Sequence, residues 1–107
     1  MRIKLDEIPK RRPLTPGDHL RDIIEEHSVT QQQFADALGI TRRRLNEILN
    51  DRRGITPDTA LRLGRVLNTS AELWLRLQNQ LELWDAVNRP NAKAIAKLKP
   101  LKRLSAA

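Results

Sequence analysis

Residues 30–49 contain two short helical patterns joined by a single glycine, and this segment constrains the fold most. Thr30 and Gln33 have the spacing of a capping box, which marks a helix start. Gly39 stands where a chain leaves a helix in a left-handed conformation, and Thr41 caps the next helix two residues later. The inward-facing residues are Phe34, Ala35 and Leu38 in the first helix and Leu45, Ile48 and Leu49 in the second. The spacing predicts a helix-turn-helix, whose second helix enters the major groove of DNA.

Further helix starts occur on both sides of this segment. Thr15 and Thr56 each precede a proline, which suits the first position of a helix. Ser70 caps a last helix that reaches about Val87 and ends before Pro90. Strand signals are nearly absent, since the chain has one Phe, no Tyr and no sustained alternation of apolar and polar residues. We therefore predict an all-α fold, a compact five-helix bundle.

The positive charge of the chain is concentrated at its two ends. The net charge is +7, yet residues 14–88 hold nine basic and eleven acidic residues. Residues 1–13 hold five basic and two acidic residues, and residues 89–107 hold six basic residues and no acid. We predict a central DNA-binding and dimerisation domain with a basic N-terminal arm and a basic C-terminal tail. Nucleic acid is a common partner of such arms, although solvated tails that only aid solubility have the same composition.

Several function classes lack the residues they need. The chain has no cysteine and only two histidines, so we expect neither disulfides nor a metal site, and no cofactor. The sequence offers no Ser-His-Asp or Cys-His arrangement for nucleophilic catalysis, and it contains no glycine-rich phosphate loop. We therefore do not expect an enzyme. No apolar run has the length of a membrane span or a signal peptide, which predicts a soluble cytoplasmic protein without membrane contact.

The second motif helix begins with three arginines, Arg42, Arg43 and Arg44. Positive charge at a helix N-terminus is unfavourable because the helix dipole is already positive there. A bound polyanion would offset this cost, so the placement indicates a ligand rich in phosphate. Because the apolar residues face inward, Arg42, Arg43, Asn46 and Glu47 are expected to project into solvent. In the following loop, Arg52 and Arg53 are placed to reach phosphates beside the groove. The alternative is a helical hairpin that never touches DNA.

The sequence resembles the HigA-type antitoxins of the Xre/Cro helix-turn-helix family over about residues 14–87. The resemblance depends on five motifs. They are Thr-Pro-Gly-Asp-His-Leu at 15–20, Gln-Gln-Phe-Ala-Asp-Ala-Leu-Gly-Ile at 32–40, Leu-Asn-Glu-Ile-Leu-Asn at 45–50, Gly-Ile-Thr-Pro-Asp-Thr-Ala-Leu-Arg-Leu at 54–63 and Thr-Ser-Ala-Glu-Leu-Trp-Leu-Arg-Leu-Gln at 69–78. Leu-Trp at 83–84 extends the last of them, and this tryptophan-rich region is the most distinctive.

The resemblance implies a lambda-repressor-like fold and a homodimer that represses its own operon through operator double-stranded DNA. It also implies a cognate HigB-like ribonuclease toxin that cleaves messenger RNA and that this chain neutralises. Many relatives have Ser, Lys or Asn where this chain has its arginine run, so its operator is expected to offer more G·C contacts. The DNA contacts carried over are Gln31 to phosphate, Thr41, Arg42, Arg43 and Glu47 to bases, and Arg44 and Asn50 near the backbone.

The fifth helix has a second set of apolar residues, which suggests a dimer. Five residues lie within one arc that covers the domain's own core: Leu73, Trp74, Leu77, Leu81 and Trp84. Leu75 and Leu83 fall outside this arc, and we expect them to be exposed. Exposed leucines also occur on monomers, but a Cro-like protein must span two half-sites. We therefore assign Leu75, Leu83 and Trp84 to the dimer interface.

Two other functions fit the same sequence. One is a stand-alone repressor of the Xre type with no toxin partner. The other is a protein-interaction module whose basic arms bind RNA or an acidic protein. Salt-sensitive binding to a palindromic operator would exclude the second alternative. A neighbouring reading frame for a small basic toxin would favour the antitoxin over the first.

Overall fold

The computed structural model describes residues 10–101 as an array of helices with no strand among them. Their bounds are α1 (Pro16–Glu26), α2 (Gln31–Leu38), α3 (Arg42–Leu49), α4 (Pro57–Leu67), α5 (Ala71–Val87) and α6 (Ala92–Ala96). The five predicted helices are confirmed, and α6 is a short additional helix in the C-terminal tail. The outer parts of both basic arms, 1–9 and 102–107, lie outside the described residues, so nucleic-acid contact by the arms stays a prediction.

Side-chain caps explain where the first five helices begin. Thr15, Thr30, Thr41, Thr56 and Ser70 each accept a hydrogen bond from the backbone N–H three residues later. Such a bond satisfies one of the free N–H groups at the start of a helix. The predicted capping box of α2 is confirmed, and α1 has an equivalent box in which Asp18 takes the place of the usual Glu or Gln. These starts follow from local sequence alone.

A single apolar core lies between α1 to α4 and the first half of α5. Its fully buried members include Leu20 of α1, Leu45 of α3 and Leu63 of α4. Leu61 of α4 lies outside this core although it is apolar, because its exposure is 66%. Gly64 is buried on the inner side instead, and a Cβ there would lie 2.9 Å from the carbonyl oxygen of Thr69. The close approach of the following turn requires glycine at this position.

Helix α5 covers the core with Trp74 and Leu81, as the arc of apolar residues predicts. The Trp74 indole N–H donates to Thr69 Oγ1 at 3.0 Å. The expectation that Leu75 and Leu83 are exposed is wrong. Both are only partly exposed, and Leu75 packs against the core of its own chain, in which α5 lies against α4.

Candidate nucleic-acid interface

The connection between α2 and α3 is a tight, well-anchored turn. Gly39 has φ 68°, in the left-handed region, as predicted. The Ile40 N–H donates to the carbonyl oxygen of Ala35 at 3.1 Å, which closes the end of α2. Thr41 Oγ1 then accepts from the Arg44 N–H at 3.0 Å and starts α3. The short fixed turn sets α3 at a defined angle to α2, the arrangement in which a second helix is presented to DNA.

The outward face of α3 is the predicted one. Leu45 and Ile48 are buried, whereas Thr41, Arg42 and Asn46 are exposed. The Arg43 side chain is 91% exposed and extends from the first turn of the helix. Two exposed guanidinium groups therefore lie at the N-terminal end of α3, where a partial positive charge from the helix dipole adds to their own. This end of α3 is chemically suited to bind an anion.

Glu47 lies between two arginines. Its Oε1 is 3.8 Å from Arg43 Nε and 3.4 Å from Arg53 Nη2, and its side chain is only 30% exposed. The predicted phosphate contact Arg53 is thus already paired with an acid. Arg52, in contrast, is exposed and has no hydrogen bond from its side chain within residues 10–101. The pairing reduces the repulsion that a free Glu47 carboxylate would exert on nearby phosphates.

Arg44 does not share the environment of the two arginines before it. Its side chain is 28% exposed, and its Nη2 donates to Asp58 Oδ2 at 2.9 Å and to Thr59 Oγ1 at 2.7 Å. Arg44, which the resemblance places near the DNA backbone, thus turns toward α4, while its contact with DNA stays a prediction. Hydrogen bonds from Arg44 and Arg62 hold the pKa of Asp58 below its usual value.

Polar side chains connect α1, α2 and α3 along one exposed surface. Asn46 Nδ2 is 3.5 Å from Gln31 Oε1 at the start of α2. Asn50 Nδ2 donates to the Asn46 carbonyl oxygen at 2.9 Å, and Asn50 Oδ1 accepts from Arg21 Nη2 at 2.8 Å. Gln31, Asn46 and Asn50 are thus brought together as predicted site residues. Arg21 on α1 was missed, because no local pattern distinguishes it from any other exposed arginine.

We also searched the described residues for a metal site, a membrane-spanning helix and a ligand-binding groove. Residues 10–101 contain no group of His, Cys, Asp or Glu side chains able to hold a metal ion. None of their helices is both long enough and apolar enough to cross a membrane. One groove of about 460 Å³ lies between α1, α2 and α4, and its lining is mostly apolar, with Ile23, Phe34 and Val66 among its residues.

Comparison with protein families and with individual proteins gives consistent results. The helix-turn-helix family model matches residues 20–74, from α1 into α5. The antitoxin HigA-1 of Vibrio cholerae is 32% identical over 87 residues, covering 79% of this chain and 81% of that protein. The HTH-type transcriptional regulator YbaQ of Escherichia coli is 33% identical over 79 residues, covering 73% of this chain and 70% of YbaQ.

A solved structure shares both the fold and the sequence motifs. It is the Pseudomonas aeruginosa antitoxin HigA with the higBA promoter, which superposes with a TM-score of 0.76 at 38% identity. The superposition covers 84% of this chain and 99% of that one. Together with the capped, arginine-led α3 and the tryptophan-containing α5, these matches show that the chain belongs to the HigA-type antitoxins of the Xre/Cro helix-turn-helix family.

Proposed function

We propose that this protein is the antitoxin of a type II toxin–antitoxin module. In this role it binds operator DNA as a homodimer, represses its own operon and neutralises a cognate toxin that cleaves messenger RNA. The observation that carries the DNA-binding part is the exposure of both Arg42 and Arg43 at the N-terminal end of α3. The Pseudomonas aeruginosa relative, whose structure includes the higBA promoter, supports this reading.

Base recognition is assigned to the first turn of α3. The planar guanidinium group of Arg43 is able to donate two hydrogen bonds to O6 and N7 of guanine. Thr41 and Arg42 are proposed as its neighbours in the groove, and Glu47 forms a 3.8 Å ion pair with Arg43. Base edges carry the sequence information, so these residues are proposed to set the operator preference.

Phosphate contacts are assigned to the residues that flank α3. Gln31 lies at the N-terminal end of α2, where backbone N–H groups favour an anion. Asn50 and Arg52 follow the C-terminal end of α3, and both are exposed. Contacts on both sides of the groove would fix the orientation of the helix without reading sequence. Arg53 joins them only if DNA competes with Glu47 for its guanidinium group.

Dimerisation is assigned to the second half of α5. Two recognition helices must lie about 34–36 Å apart, one turn of DNA, to occupy both halves of a palindrome. Leu83 and Trp84 are half-buried there, and the Trp84 indole nitrogen is buried without a hydrogen-bond partner among residues 10–101. A second copy packed on this part of α5 would cover the parts of both side chains that are still exposed.

The test combines growth and binding measurements. The reading frame beside this gene is induced alone and then together with this chain, and complexes are recovered by affinity purification. Growth arrest relieved by this chain, with a recovered complex, is the expected result. Binding of the purified chain to DNA from its own promoter is measured in parallel by fluorescence anisotropy. Absence of arrest, of rescue or of complex would contradict the antitoxin role.

A stand-alone repressor is the second candidate. It is favoured by the relative YbaQ, which is described as a transcriptional regulator and not as an antitoxin. The same measurements separate the two functions, because the repressor binds its promoter but neither rescues growth nor captures a toxin. Absence of binding to any promoter fragment would contradict both functions.

A further inference from the structure

Three charged residues form a continuous chain of contacts behind the recognition helix. Asp58 Oδ2 accepts from Arg44 Nη2 of α3 and from Arg62 Nε of α4, both at 2.9 Å. Arg62 Nη1 continues to the end of α2, where it donates to the carbonyl oxygens of Leu38 at 2.9 Å and Gly39 at 3.2 Å. We call Arg44, Asp58 and Arg62 the α4 clamp. It ties both helices of the helix-turn-helix to α4.

The Arg62 end of the clamp fixes the turn. The last carbonyl groups of a helix have no partner within the helix, and a cation near them is favourable. Arg62 satisfies two of them at the point where the chain reverses between α2 and α3. Its Nη1 would lie only 3.0 Å from a Cβ on Gly39, so the guanidinium group fills the space beside the turn.

The Arg44 end of the clamp fixes the first turn of α3. Arg44 Nη2 donates to Thr59 Oγ1 as well as to Asp58, and Thr59 is 1% exposed. Arg44 Nε is buried and has no hydrogen-bond partner among the described residues. To reach DNA, Arg44 would have to give up both hydrogen bonds and leave Thr59 without this donor. Burial and bonding therefore favour the inward conformation.

We infer that Arg44, Asp58 and Arg62 are positioning residues, which set the orientation of α3 against DNA, and that Arg44 is not itself a DNA contact. This inference rests on the DNA-binding function proposed above. It divides the arginine triplet by role: Arg42 and Arg43 meet the DNA, and Arg44 holds the helix that carries them.

The variant Asp58→Asn gives the sharpest test, because a pure charge effect and a positioning effect predict opposite changes in operator affinity. Removing an acid near the DNA-binding face would, by charge alone, tighten binding to every DNA sequence. Loss of the clamp is expected to weaken operator binding about tenfold, the effect of one misaligned base contact, and to leave binding to random DNA unchanged or slightly tighter. Asp22→Asn, which changes an exposed acid of α1, is the matched control and should preserve operator preference. Tighter operator binding by Asp58→Asn would overturn the inference.

The variant Arg44→Met tests whether Arg44 meets phosphate. The logarithm of the binding constant falls linearly with the logarithm of salt concentration, and loss of one phosphate contact makes this line less steep by about 0.9. A positioning residue should weaken operator binding with no change in this slope. Arg52→Met is the comparison, since Arg52 is proposed to meet phosphate and its loss should lower the slope. A slope reduced equally by Arg44→Met and Arg52→Met would refute the assignment.

Hydrogen exchange tests the clamp without DNA. In Arg62→Met, the amide of Ile40 should exchange at least tenfold faster, because its hydrogen bond to Ala35 closes the turn that Arg62 holds. Arg65→Met, on an exposed arginine of the same helix, should leave this rate unchanged. Unchanged exchange in Arg62→Met would overturn the inference whatever the DNA measurements show. Faster exchange in Arg62→Met, together with a wild-type chain that does not bind its promoter, would contradict the proposed function and its role for the clamp, and would leave only the clamp's hold on the turn.

Discussion

At the scale of single residues, identical side chains acquire different chemistry from their surroundings. Arg43 is 91% exposed and has only a 3.8 Å contact with Glu47. Arg44, the next residue, is 28% exposed and is bonded to Asp58 at 2.9 Å. An exposed guanidinium group keeps its donors for a ligand, whereas a bonded one must first lose its partners. The two arginines should therefore respond differently to substitution.

Arg43→Ala should weaken operator binding by about 1–3 kcal/mol and relax sequence preference, because a bidentate contact to guanine is lost. Competition anisotropy with operator and random duplexes measures both effects. Arg65→Ala, an exposed arginine on α4, serves as the control for loss of one charge. Equal weakening on operator and random DNA would mean that Arg43 contacts only phosphate.

The lowered pKa of Asp58 makes the clamp sensitive to acid. Its pKa in the folded chain lies below the ordinary value of an aspartate because Arg44 and Arg62 donate hydrogen bonds to the carboxylate. The stabilisation is present above the unfolded pKa and is lost as pH falls through the folded one. Urea unfolding should therefore show wild type more stable than Asp58→Asn at neutral pH, with the difference shrinking in strong acid. A difference that is independent of pH would show that the charge on Asp58 is irrelevant.

At the scale of elements, the turn between α2 and α3 depends on one backbone conformation. Gly39→Ala should destabilise the fold by about 1–2 kcal/mol, because φ of 68° is costly for a residue with a Cβ. The added Cβ would also press on Arg62 Nη1 at 3.0 Å. Urea unfolding followed by circular dichroism measures the change.

Gly54→Ala is the matched control for this substitution. Gly54 does not have a positive φ, and a Cβ there would meet only the amide end of the Gln78 side chain, at 3.3 Å, so we expect a smaller effect. Equal destabilisation by the two substitutions would show that the left-handed turn is not the cause.

At the scale of the whole molecule, the proposed dimer depends on the half of α5 that lies beyond the core. Leu75→Glu is one conceivable test of this dimer, since the sequence pattern assigns Leu75 to the interface. Because Leu75 packs against the core of its own chain, that substitution would also destabilise the monomer. Leu83→Glu is the better test, since Leu83 is half-buried and lies outside the group of residues packed on the core.

Leu83→Glu should halve the mass measured by light scattering and weaken operator binding, while the helical circular dichroism signal is retained. A charge buried in an apolar interface is costly, and single half-sites bind more weakly than pairs. Leu61→Glu on α4 is the control, because Leu61 is an exposed leucine outside α5. An unchanged mass for Leu83→Glu would exclude this part of α5 from the interface.

The sequence by itself determined where the helices begin and end and which side of α3 faces outward. These features depend on caps and glycines within three or four residues, and on a helical period that any fold preserves. Tertiary structure decided the rest. Arg44 turns inward because Asp58 on another helix lies beside it, and Arg62 reaches the end of α2 from 24 residues away. Leu61 is exposed and Leu75 packed for the same reason: contacts between distant residues depend on the angles at which helices pack, which no local pattern encodes.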